Sequence, residues 1–387
     1  MKSLLFSKYC VLSLVLSLAA AGCTEDLESN VSNQSEATIR EGVHILDASM
    51  MAGVLVEAGS LHVAPEGQFW LADVRVGDIV VSGQGNGFLR RVTAIDSLPA
   101  ETVLATEPAM LTEALESARI GESLHSNPIS AFGFGQFADF GFDLDLGGTE
   151  LYSRDGVSVT VAEGTVSFQP SLDVDLDIGL FSGVDFSMVA SGAFDSRFVV
   201  RADAQTSVSE SFQFQRTLYT SPTVRVPLMV GGFPLTLAIT SYLEGQFEIA
   251  AGAQGNASAG AELHTEVSAG LAYDNGFSTF GDSDLTFKPV APRYELSAEL
   301  NARASLTPRI EVLILDSAGP TLGVEAYAQL AADAGLSSEA PAGASCELLL
   351  GLRGELGGKL SILGLIDLAE LDYELFDRNT ALDCFNL

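Results

Sequence analysis

Few side chains in this chain are spaced for chemistry. The histidines are His44, His62, His125 and His264, and no two stand in H-x-H or H-E-x-x-H spacing. A protein zinc site is normally announced by such closely spaced ligands, so the sequence offers none. No G-x-S-x-G elbow is present to present a nucleophilic serine. The run Asp173-Val174-Asp175-Leu176-Asp177-Ile178-Gly179 has the alternating acids of a calcium loop. An EF-hand loop requires Gly directly after the third acid and Glu at the twelfth place, and here Gly179 comes one residue late and the twelfth place is Val184. A strand with acids facing water and Leu172, Val174, Leu176 and Ile178 facing inward explains the run better. Asp274, Asp282 and Asp284, in a Gly-containing stretch, are the remaining candidates for a surface calcium. Acid–base work on a glycan needs two set-apart carboxylates, but 51 acids supply so many pairs that none stands out. No catalytic residue, cofactor or metal is therefore assigned. The segment AFGFGQFADFGF (131–142) places Phe132, Phe134, Phe140 and Phe142 on one parity. Exposed, they form a patch that grips a glycan or a surface protein. Packed on a Gly-bent strand, they are core.

The cysteines carry a clearer message. Lys2 and Lys8 are followed by the apolar run YCVLSLVLSLAAA and then by Ala20-Ala21-Gly22-Cys23. A basic start, a short apolar stretch and small residues describe an export signal, and the run is shorter than the roughly 20 residues of a membrane-spanning helix. Ala20-Ala21-Gly22-Cys23 resembles the lipobox of bacterial lipoproteins, with Ala where that family prefers Leu three places before the Cys. The resemblance implies cleavage after Gly22, acyl chains on Cys23, and anchoring firmer than one chain provides. Thr24 stands where such lipoproteins often carry an inner-membrane Asp, so the expected address is the outer membrane or cell surface. Cys10 leaves with the signal. Cys346 and Cys384 remain as an even pair in an exported protein, which predicts a disulfide.

A formal net charge of −32 leaves little scope for nucleic-acid binding, which needs clustered Lys and Arg against phosphate. It equally disfavours adhesion to a bare anionic membrane. Hydrophobic residues make up 47% of the chain, so the acid belongs to the surface of a folded body and not to a disordered one.

The elements that must position these residues are strands. Residues 1–22 read as signal and 23–44 as an acidic flexible tether. Residues 45–125 read as a small β domain in which Gly83-Gln84-Gly85-Asn86-Gly87 makes a hairpin turn. LADVRVGDIVVSGQGNGFLRRV resembles the "VGD" β-turn region of Hint and other small-barrel modules, which implies a local β shape. The catalytic Cys or Ser and the His-Asn pair of Hint modules are absent around it, so no splicing chemistry follows. Pro108, Met110, Leu111, Ala114, Leu115 and Ala118 predict one helix over about 108–118. Residues 126–387 read as a large domain of long strands. Tyr294–Leu306 alternates without a fault and predicts one strand. Residues 245–273 alternate too long for one strand and predict a turn near Gly255-Asn256. Further strands are expected at 157–168, 196–205, 223–230, 233–241, 321–331 and 346–356. The apolar face over 250–272 is largely Ala and Gly, and Trp70 is the sole tryptophan. Small residues suit close sheet-on-sheet contact better than the aromatic-girdled lipid face of a membrane barrel. The expected fold class is all-β: a small β domain with one helix, then a large, long-stranded antiparallel β-sandwich.

The functional expectation is a non-catalytic, membrane-anchored surface lipoprotein with a structural, adhesive or partner-binding role. Two other classes stay open at the level of sequence: an exported hydrolase acting on a polymer, and a carrier that shelters an apolar ligand between its sheets. A carboxylate pair on a groove floor marks the first, and an internal apolar cavity marks the second.

Overall fold

The structure is a computed structural model. It describes residues 35–126, 140–154, 156–179, 183–204, 212–251, 255–274, 276–296, 300–315, 319–332, 346–361 and 367–384. In chain order the first strands are β1 (Glu36–Ile39), β2 (Val43–Ile45), β3 (Val54–Glu57), β4 (Ser60–Val63), β5 (Ile79–Ser82), β6 (Phe88–Ser97) and β7 (Thr102–Pro108). There follow β8 (Leu115–His125), β9 (Phe142–Asp145), β10 (Glu150–Arg154), β11 (Val157–Gly179), β12 (Gly183–Ala204), β13 (Phe212–Thr220) and β14 (Val224–Val230). The last are β15 (Phe233–Ala251), β16 (Gly255–Asp274), β17 (Phe277–Leu296), β18 (Leu300–Ile314), β19 (Pro320–Ala332), β20 (Cys346–Ser361) and β21 (Asp367–Asp383).

The strands build three sheets. The first has the order β1-β8-β11-β12-β16-β17, with β9 and β10 also on β11. The second runs β13-β15-β18-β19-β20-β21, with β14 also on β15. The small sheet runs β2-β5-β6-β7-β4-β3, and its β2–β5 pair is parallel. The fold is all-β, with sheets that are otherwise antiparallel. Alternation explains the packing. Phe168, Leu172, Val174 and Leu176 of β11 and Phe186, Met188, Phe194 and Phe198 of β12 are buried in one core with Leu237, Ile239 and Leu243 of β15 and Leu348, Leu350 and Leu352 of β20. Apolar faces from both large sheets thus fill the space between them, as in a sandwich. The acids of 173–177 lie on the opposite face of β11, as the period of two requires.

The two sheets meet along both sides. On one, Gly281 of β17 lies under β21, where a Cβ would come 2.9 Å from Leu375 Cβ and Phe376 Cδ1; only glycine permits that approach. On the other, the Tyr152 ring of β10 sits 6.1 Å from Phe214 of β13, and Phe142 of β9 sits 5.3 Å from Tyr219. Packing one sheet's edge against the other's leaves less unpaired edge for other chains to join.

A proline inside a central strand is normally excluded because it cannot donate to the ladder. Pro170 is tolerated in β11 because of its place. The neighbour of β11 changes there, from β9 opposite 165–168 to β8 opposite 171–178. The Pro170 carbonyl still accepts from Ser126 N at 3.0 Å.

The small sheet has its own apolar face around Trp70, Leu61, Val63, Val80, Phe88 and Leu104. Its β5–β6 turn is the expected hairpin, with Gly85 at φ 64° and Gly87 at φ 73°. That turn rests on the second sheet, where Thr236 Oγ1 donates to Gly83 O at 3.1 Å.

Several boundaries differ from expectation. The helix is a single turn, α1 (Leu111–Ala114), and residues 115–125 form β8 within the first large sheet. Leu115, Ala118, Ile120 and Leu124 are buried there, so the ladder with β11 overrides the helical stripe. Tyr294–Leu306 is not one strand: β17 of the first sheet ends at Leu296 and β18 of the second starts at Leu300. Alternation persists through a crossover and so conceals it. The break expected near Gly255-Asn256 falls between β15 and β16.

Candidate binding face

Cross-strand register assembles what the sequence keeps apart. On the outer face of the first sheet, Asp143 of β9, Ser167 of β11, Asp195 of β12, His264 of β16 and Thr286 of β17 stand opposite one another in turn. The adjoining row is Thr165, Arg197, Glu262 and Lys288. Together they line a concavity of about 470 Å³. These residues point outward because their strand neighbours Val166, Phe194, Ser196, Phe198, Leu263 and Thr265 are buried on the inner face.

The charges in this concavity restrain one another. Arg197 Nη2 lies 2.9 Å from Glu163 Oε2, and its other Nη meets Glu262. Lys288 Nζ donates to Glu262 Oε2 at 2.8 Å. The Lys288 hydrogen bond and the two neighbouring cations hold the Glu262 carboxyl below its ordinary range. Asp195 bonds His264 Nδ1, and this bond together with the carboxylate charge raises the imidazole above its usual value. Asp143, Thr165, Ser167 and Thr286 carry no side-chain hydrogen bond among the described residues.

Ser167, Asp195 and His264 are the residue types of a hydrolytic triad in the wrong order. A base must touch the nucleophile, with the acid behind it. Here the acid stands between them, and two strand spacings of about 4.8 Å put Ser167 and His264 about 10 Å apart.

The outer face of the second sheet is also ionic. Arg309 spans from Glu244 at 3.1 Å to Glu355 at 3.0 Å. Arg303 meets Glu325 at 2.9 Å and lies 4.1 Å above the Tyr327 ring. Arg353 lies 3.4 Å from both Glu374 and Asp377. Burial, and then the hydrogen bond to Glu311, push the Tyr242 hydroxyl up to about 12. In the small sheet His44 meets Asp78 at 2.8 Å, and His62 lies between Glu101 at 3.2 Å and Glu57 at 3.6 Å. These contacts cross-link strands and turns.

The sequence candidates fare unevenly. Cys23, Phe132 and Phe134 lie outside the described residues. Phe140 and Phe142 do not form an exposed patch: they are 0% and 8% exposed, and Phe142 packs 5.6 Å from Phe168. Alternation along β9 turns Phe142 inward, and Phe140, two residues before the strand's first residue, is buried in the same core, where apolar area is worth most. Asp274, Asp282 and Asp284 do not converge on an ion. Asp282 and Asp284 sit within β17, opposite Ser268 and Glu266, whereas Asp274 ends β16 opposite Asp185. Several residues of strand, at about 3.3 Å each, separate them. Among the described residues no group of His, Cys, Asp and Glu is arranged to hold a metal. Cys346 and Cys384 are joined by a disulfide with Cα atoms 5.4 Å apart. His264, Asp195, Arg197, Glu262 and Lys288 escaped sequence reasoning as a group. Their joint signal is register across several strands, which one sequence does not display.

No protein-family model, curated protein or solved structure matches this chain.

Proposed function

We propose that this protein is a non-catalytic, lipid-anchored component of a bacterial envelope whose β body presents a polar face to a partner. The observation that carries the binding role is the concavity on the first sheet. Apart from Asp143, its charged groups are held by cross-strand bonds, while Asp143, Thr165, Ser167 and Thr286 keep free hydrogen-bonding capacity among the described residues. Preorganised polar groups lose little freedom when a ligand arrives. The order Ser167, Asp195, His264 supports a non-catalytic reading. The packing among the described residues favours it over a carrier role. A void between the sheets, lined by Val200, Ala202, Phe247, Ala257, Ala328 and Leu330, measures about 30 Å³, whereas a small-molecule site needs about 300 Å³ or more. The anchor rests on Ala20-Ala21-Gly22-Cys23 and the signal before it.

Expression in a bacterial host with labelled palmitate, comparing the native chain with Cys23→Ala, tests the anchor. Label and membrane association should both vanish in the variant, and unchanged labelling would refute the anchor. A parallel screen for release of product from ester, peptide and glycoside substrates should stay blank. Turnover that disappears on Ser167→Ala or Asp195→Asn would overturn the non-catalytic reading.

A further inference from the structure

We propose that the concavity on the first sheet binds a neutral saccharide segment. The inference rests on the binding role proposed above and names the ligand class of the same face. Its chemistry narrows the classes in turn. A protein interface is centred on buried aromatic or aliphatic anchors, and the outward side chains of both rows are all polar. A lipid or acyl chain needs an apolar lining for the same reason. Nucleic acid and acidic polysaccharide need an excess of free cations. Arg197 and Lys288 are instead engaged by Glu163 and Glu262, on a chain of net charge −32.

A polyol is recognised by uncommitted hydroxyls and carboxylates that donate to and accept from its ring hydroxyls. The Thr165, Ser167 and Thr286 hydroxyls and the Asp143 carboxylate meet that need. They stand on three strands, β11 supplying two and β9 and β17 one each, with Asp195 and His264 on the two strands between. Neighbouring strands lie about 4.8 Å apart, so the row from Asp143 to Thr286 covers roughly 19 Å. That length suits a short run of sugar units laid across the strands better than a single ring.

The test uses the full chain in detergent micelles and a panel of soluble neutral, amino and acidic oligosaccharides, read by saturation-transfer NMR and by size analysis of the sugar afterwards. The native protein should bind one or more neutral members and return them intact. Ser167→Trp fills the row and should weaken binding by at least about tenfold, equivalent to 1.4 kcal/mol. Thr321→Trp, on the outer face of the second sheet, is the matched control and should leave binding unchanged. Circular dichroism and the urea midpoint confirm that both variants fold. Thr165→Ala with Thr286→Ala, which adds no bulk, should weaken binding in the same direction. Equal binding by Ser167→Trp, or preference for acidic members, overturns the proposal. So does the absence of any bound member, which leaves the non-catalytic reading standing. Shortened sugar after binding would instead overturn the non-catalytic reading while keeping the ligand class.

Discussion

Replacing Glu325 by alanine should be among the costliest single changes on the outer surface of the sandwich. Its side chain is 8% exposed, although it points to the outer face of β19, because the long side chains around it close over it. Arg303 meets it at 2.9 Å with its own side chain 24% exposed, and Arg353 feels its charge. Removing one partner of a buried ion pair costs about 3–5 kcal/mol, because the other charge is left desolvated and alone. Arg303 is partly solvated and retains the Tyr327 face, so the expected loss is about 2–3 kcal/mol. Arg353 keeps Glu374 and Asp377 and should add little. Urea unfolding followed by circular dichroism measures the loss as a lower midpoint at unchanged slope. Glu325→Gln, which keeps the shape and one acceptor, should lose less. The double variant Arg303→Met with Glu325→Leu should recover much of the stability, because apolar replacement of both partners removes the stranded charge. A loss below about 0.5 kcal/mol for Glu325→Ala, within the range of exposed ion pairs, would refute the claim that this face is desolvated.

Four further outcomes are expected. The His264 imidazole should titrate above its ordinary range by NMR and return toward it in Asp195→Asn. Because the folded-state value is raised, the stabilisation is present below the ordinary imidazole range and is lost as pH rises through the folded value; an unmoved titration in the variant would refute the pairing. Phe194→Ala, at a fully buried site 6.3 Å from the Phe168 ring, should cost about 3–5 kcal/mol, whereas Phe280→Ala at 43% exposure should cost far less. Replacing both Cys346 and Cys384 by alanine should cost up to about 4 kcal/mol by loop-closure entropy, with hydrogen exchange rising first in β21; no change in either readout would contradict a stabilising staple. Asp185 stands directly opposite Asp177 and Asp274, and Arg119 meets Asp177 at 2.7 Å, so Asp185→Asn should stabilise by no more than about 0.2–1 kcal/mol in all at low salt. The gain should fade as salt screens the repulsion, and a gain independent of salt would point to another cause.

What the sequence discloses and what it conceals follow from the ranges of the forces involved. Alternation is local: each residue's face depends on its neighbour's. Leu172, Val174, Leu176 and Ile178 were therefore assignable to the core, and their acids to water, from the run alone. The Gly83–Gly87 turn was legible for the same reason, since positive φ is a demand on single residues. The disulfide was legible from cysteine scarcity and the expectation of export. A crossover between two sheets changes neither alternation nor composition, so Tyr294–Leu306 passed for one strand. The helix expected over 108–118 is cut to Leu111–Ala114 because pairing of the following residues with β11 is a long-range term that a helical stripe cannot report. The candidate binding face lies further still from local reading. Asp195 and His264 are adjacent only because β12 and β16 pair in one register out of several that the Ala- and Gly-rich stretch would allow. Shifting that register by one residue would turn His264 into the core and Leu263 out to water. The buried Leu263, Thr265 and Val267 thus fix the face as firmly as the polar residues that compose it, and a search for function among the polar residues alone would miss what holds them in place.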